Sequence, residues 1–64
     1  MIYVNGIKEK FVDESIDELL KRKGIERRGV AVAIDGEVVP RSTWSNTPVP
    51  DHVHIEIVTA AAGG

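Results

Sequence analysis

The last two residues of the chain, Gly63 and Gly64, follow three alanines. Glycine has no Cβ, so a Gly-Gly end can thread a channel too narrow for any side chain. Read as a free C-terminus, Gly64 can present its carboxylate to ATP inside such a channel. Transfer of AMP to the carboxylate creates a mixed anhydride with a good leaving group. A persulfide can then attack and expel AMP, and thiol cleavage of the resulting acyl disulfide leaves a thiocarboxylate, so that sulfur rides on the main chain. No cysteine is needed for this, and the chain contains none.

The other chemistry-bearing residues form weaker patterns. His52 and His54 are expected on one side of a strand, where two imidazoles could hold a metal, but no third ligand is visible. Ser, Thr and His occur without a nucleophile elbow or triad spacing. The glycines at 6, 24, 29 and 36 fall at turns and caps rather than in a phosphate-binding loop. Trp44 is expected as a lid on the edge of the core. Without Cys, thiolate catalysis, Cys-ligated metals and a disulfide framework are excluded.

These residues sit on a small body. Sixty-four residues make one domain with a thin stability margin. Apolar residues make up 42% and charged residues 28%, an ordinary globular balance. The net charge of −2 leaves no electrostatic footprint for nucleic acid or anionic membrane. The longest purely apolar run, Val30 to Ile34, is far short of the roughly 20 residues that span a bilayer. No signal-peptide pattern opens the chain, and a cytoplasmic location is expected.

The spacing predicts a hairpin through Asn5-Gly6, whose type I′ turn needs positive φ at both central residues. Ile2 and Val4 share one face of its first strand and Tyr3 takes the other. "DESIDELLKRKG" reads as a helix. Ser15 and Glu18 make a capping box, Ile16, Leu19 and Leu20 form the apolar stripe, and Gly24 marks the stop. Lys21, Arg22 and Lys23 read as a solvated helix end. A second hairpin turns at Asp35-Gly36, with Val30, Val32 and Ile34 on one face and Ala31 and Ala33 on the other. A polar connection with a short helical turn near Trp44 leads to a last strand, "HVHIEIV". There Val53, Ile55 and Ile57 point inward, and His52, His54, Glu56 and Val58 outward. Ile2, Val4, Ile16, Leu19, Leu20, Val32, Ile34, Ile55 and Ile57 form the expected core.

This order predicts an α+β fold in which one helix covers one face of a mixed sheet. The first and last strands lie parallel at its centre, as in the ubiquitin-like β-grasp. Residues 1–58 form the body and 59–64 an Ala/Gly tail that is expected to be mobile, because small side chains offset little of the entropy lost on ordering.

The chain resembles the ThiS family of sulfur carriers in thiamine biosynthesis. The resemblance rests on the Asn5-Gly6 hairpin, "VAVAIDGEVVPRSTW", "HIEIV" and Gly63-Gly64, and it covers nearly all 64 residues. Ile34 to Ser42 matches the family's middle motif, with Asp35 in place of the usual Asn. Pro50-Asp51 replaces a common Gly-Asp pair. The resemblance implies a carrier rather than an enzyme. Its Gly64 is adenylated by a ThiF-type activating enzyme that uses ATP and magnesium, while the carrier binds no cofactor itself. Sulfur comes from cysteine through a cysteine desulfurase and goes to thiazole synthase. Gly63 and Gly64 serve tail recognition. Tyr3, Ala31, Ala33, Glu56 and Val58 form a flat, partly apolar face beside the tail that is expected to meet these partners.

Other readings use the same fold. The small subunit of molybdopterin synthase, or another ubiquitin-like sulfur carrier or modifier, shares the tail. A β-grasp RNA-binding module predicts a basic sheet face instead. A metal- or ligand-binding scaffold would rest on His52 and His54.

Overall fold

The computed structural model describes residues 1–59. The chain forms β1 (Ile2–Val4), β2 (Ile7–Glu9), α1 (Ile16–Arg22), β3 (Val30–Ile34), β4 (Glu37–Val39), a 3₁₀ helix (Arg41–Asn46) and β5 (His54–Thr59). The strands make one mixed sheet in the order β2-β1-β5-β3-β4. The central pair β1–β5 is parallel and the other pairs are antiparallel. This is the β-grasp arrangement that the sequence predicts.

Both hairpins turn as expected. Asn5 and Gly6 have φ of 51° and 83°, and Asp35 and Gly36 have 49° and 85°. Each pair therefore supplies the two left-handed residues of a type I′ turn.

The helix is closed at both ends by its own sequence. The Ser15 hydroxyl accepts from the Glu18 N–H at 3.1 Å, and the Glu18 carboxylate accepts from the Ser15 N–H at 2.8 Å. At the C-terminus the Gly24 N–H donates to the Lys21 carbonyl and the Ile25 N–H to the Leu20 carbonyl, with Gly24 at φ +71°. This is a Schellman stop, which glycine favours because it pays no Cβ penalty there. Lys21 and Arg22 of the last turn are exposed, as the sequence suggests, and Lys23 is half-buried. Arg22 makes a two-pronged contact with Glu14, and Lys23 pairs with Glu9 on β2.

One core joins Ile16, Leu19 and Leu20 of the helix to Ile2, Val4, Val30, Val32 and Ile55 of the sheet. Ile34 and Ile57, expected inside, are half-buried against its margin. Trp44 is a larger correction. It is 1% exposed and belongs to the core itself. Its burial is tolerable because the indole N–H donates to the Val39 carbonyl at 2.9 Å. The guanidinium groups of Arg27 and Arg41 lie 5.6 and 5.7 Å from its ring centroid. Val49 and Val53, on the connection into β5, complete the core. Backbone bonds from Ile16 to Thr47 and from Val49 to Glu14 tie that connection to the start of the helix.

Candidate functional site

The central strand β5 carries the chain toward Gly63-Gly64, so its placement determines where the tail begins. Its two neighbours hold it by turn residues as well as by strand pairing. On the β3 side, Asp35 exchanges bonds with His54. The Asp35 N–H donates to the His54 carbonyl, and the His54 N–H donates to Asp35 Oδ1, both at 2.8 Å. On the β1 side, the side chain of Asn5 binds the backbone of Ile57. Beyond that point β5 stays paired with β3 as far as Thr59, which lies opposite Val30. Thr59, expected in the tail, is thus a strand residue. Gly63, Gly64 and the expected mobility of 60–64 lie outside the described residues.

The sheet face turned away from the helix shows what lies beside the tail's root. Ala31, Ala33, Glu56 and Val58 alternate onto this face as the sequence predicts, and they line a shallow hollow of about 170 Å³. Val38 of β4 closes its far side and is 69% exposed. Sequence reasoning missed Val38, although its alternation with Glu37 and Val39 places it on this face. Val58 is 55% exposed. The small side chains of Ala31 and Ala33 make the floor, and Val38 and Val58 make the walls.

Tyr3 does not join this group. Its ring stacks on His54, with centroids 4.6 Å apart and planes 7° from parallel. His54 precedes Val58 by four strand residues, about 13 Å along an extended chain. The expected partner face therefore divides into an apolar hollow at the tail's root and an aromatic pair toward the other end of β5.

The two histidines also separate. β5 begins at His54 rather than His52, and His52 sits in a bend with φ of +61°. It lies 3.6 Å from Asp51, while His54 stacks on Tyr3, so they do not share a strand face. Asp51 also accepts from the N-terminal ammonium at 2.7 Å, and this bond holds its carboxyl below the usual range. Among the described residues, no group of three His, Cys, Asp or Glu could hold a metal ion. No polar or charged residue among them is buried as a whole, although the Glu14 side chain, paired with Arg22, is only 8% exposed. No helix among the described residues is long and apolar enough to cross a membrane.

Comparison with known proteins agrees with this architecture. A thiazole synthase from Paramagnetospirillum magneticum is 33% identical over 64 residues, covering 98% of this chain but 20% of that protein. The chain thus spans about a fifth of this curated relative. The crystal structure of the thiamine biosynthesis protein ThiS from Geobacter metallireducens superposes with a TM-score of 0.83 at 27% identity. That match covers 98% of this chain and 97% of the other. An NMR solution structure of a thiamine biosynthesis protein from the same organism gives 0.73 at 27% identity, covering 98% and 86%. The sequence model of the ThiS family matches residues 1–64. With a β-grasp body, a central strand leading to a Gly-Gly end and a family match along its full length, this chain belongs to the ThiS family, the small sulfur carriers of thiamine biosynthesis.

Proposed function

We propose that this protein carries sulfur as a thiocarboxylate on Gly64 and delivers it for thiazole formation. The observation that carries the reading is the family match across residues 1–64, which includes Gly63-Gly64. A ThiF-type enzyme, supplying ATP and magnesium, joins AMP to the Gly64 carboxylate and releases pyrophosphate. A persulfide made from cysteine by a desulfurase attacks the acyl carbon and expels AMP. A second thiol cleaves the resulting acyl disulfide, leaving the thiocarboxylate. The carrier acts as a co-substrate and not as an enzyme.

Delivery to thiazole synthase is supported by the relative of that name, a fifth of which aligns with this chain. The same observation favours the thiazole branch over molybdopterin synthesis. The hollow formed by Ala31, Ala33, Val38, Glu56 and Val58 serves as the docking surface, because it is apolar, exposed and adjacent to the strand that leads to the tail. Tyr3, stacked on His54 toward the start of β5, lies apart from this surface.

ATP–pyrophosphate exchange with the cognate activating enzyme tests the reading. The intact chain supports exchange. Deleting Gly64 shortens the reach by about 3.5 Å, and a displacement of even about 1 Å can lower a rate on the order of 100-fold. A folded chain lacking Gly64 that exchanged as fast as the intact one would contradict the proposal.

A further inference from the structure

The cations of this weakly acidic protein are unevenly placed. All of its Lys and Arg except Lys8 and Lys10 lie between residues 21 and 41. Within that group, Arg22 and Lys23 are held by Glu14 and Glu9, and Arg27 lies 3.7 Å from Asp17. Among the described residues, Arg28 and Arg41 have no carboxylate partner, and both are exposed.

Their position relative to the tail follows from strand register. Thr59 of β5 lies opposite Val30 of β3. The Arg41 guanidinium donates to the Val30 carbonyl at 3.4 Å, and Arg27 donates to the Arg41 carbonyl at 3.3 Å. Arg41, Val30 and Thr59 therefore lie in one transverse row, with strands about 4.8 Å apart. Arg28 precedes Val30 by two residues, at the same end of the sheet. The tail's root thus has an apolar hollow on one sheet face and, beside its end, two guanidinium groups without a carboxylate partner among the described residues.

We infer that Arg28 and Arg41 form a basic collar that steers the tail into a protein whose receiving channel is rimmed by Asp and Glu. The inference rests on the carrier reading above. The matching chemistry is carboxylate, because a planar guanidinium binds it in a forked, directional way. Charge at the rim of an interface acts mainly on the association rate and on partner choice. The collar lets the carrier approach with its tail end first. The apolar hollow then supplies the contact that holds it.

The test measures association of the whole chain with its ATP-dependent activating enzyme by stopped-flow fluorescence at several NaCl concentrations. Arg28→Glu is compared with Lys8→Glu, which makes the same change in net charge on β2, an edge strand on the other side of the sheet. Arg28→Glu is expected to slow association roughly tenfold at low salt, with the difference fading as salt screens it. Lys8→Glu should leave the rate near that of the unaltered chain. Arg28→Ala, with an intermediate loss, covers the case in which the reversal fails to fold. Equal effects of the Arg28 and Lys8 variants, or none, would overturn the collar while leaving the carrier reading intact. Failure of the unaltered chain to bind the enzyme would overturn both. Arg28-dependent binding of a fluorescent single-stranded RNA, with unchanged enzyme association, would assign the cations to nucleic acid and overturn the inference.

Discussion

Asn5 and Ile57 are bonded twice, through the side chain of one and the backbone of the other. The Ile57 N–H donates to Asn5 Oδ1 at 2.7 Å, and Asn5 Nδ2 donates to the Ile57 carbonyl at 3.1 Å. β1 turns away from β5 at this point, its last pair being Val4 with Ile55. The Asn5 amide takes the place of the next β1 peptide and extends the ladder toward the tail. Asp35 needs only an acceptor on the other flank, because its own N–H already serves the His54 carbonyl. A carboxylate meets that need without an amide donor.

Asn5→Asp should weaken the protein although it suits the left-handed turn. It removes the Nδ2 donor and turns an oxygen toward the Ile57 carbonyl. The expected loss is about 1 kcal/mol, the scale of one net hydrogen bond, with faster exchange of the Ile57 amide hydrogen. An unchanged exchange rate at Ile57 would show that the clamp does not hold β5.

Leu20 is 1% exposed and lies between the helix and the sheet. Leu20→Ala is expected to cost roughly 2–5 kcal/mol, the usual range for emptying such a site. In a 64-residue protein this is a large share of the total stability. Denaturant titration checks it, and an unmoved midpoint would mean that the helix does not rest on the core.

Stability should also fall in acid through the helix cap. The Ser15 N–H and hydroxyl hold the Glu18 carboxyl below its ordinary value of 4.5. A carboxyl lowered in the folded state contributes fully above its unfolded pKa. The contribution fades as pH drops through 4.5 and then through the lower folded value. Glu18→Gln should therefore flatten the acid limb of a stability–pH curve. Identical acid limbs for the two proteins would remove Glu18 from the account.

Val58→Asp should weaken binding to the activating enzyme and slow adenylation while leaving the thermal midpoint close to normal, since Val58 is 55% exposed. Asp13→Lys, ahead of the helix and away from the hollow, should do neither. Isothermal titration with each variant decides this, and equal affinities would show that the hollow is not the interface.

Much of the body was legible because its signals are local. Asn5-Gly6, Asp35-Gly36, the Ser15–Glu18 box and Gly24 each specify backbone geometry within a few residues. Alternation placed Ala31, Ala33, Glu56 and Val58 on the outer face. The errors arose where distant contacts decide. Trp44 reads as a lid until the Val39 carbonyl is available to its indole N–H. His52 reads as a strand residue until its positive φ takes it out of β5. The division between the Tyr3–His54 stack and the hollow depends on how far along β5 each lies, which outward alternation alone does not reveal.

The most direct measurement of the central claim is the intact mass of the protein after incubation with its activating enzyme, ATP, magnesium and a cysteine-fed desulfurase. The account predicts a mass gain equal to replacing one oxygen by sulfur. Fragmentation should place it on Gly64, and it should be absent without ATP and absent when Gly64 is deleted. An unchanged mass under conditions where the same enzymes load another ThiS protein, or a sulfur placed anywhere but Gly64, would contradict it.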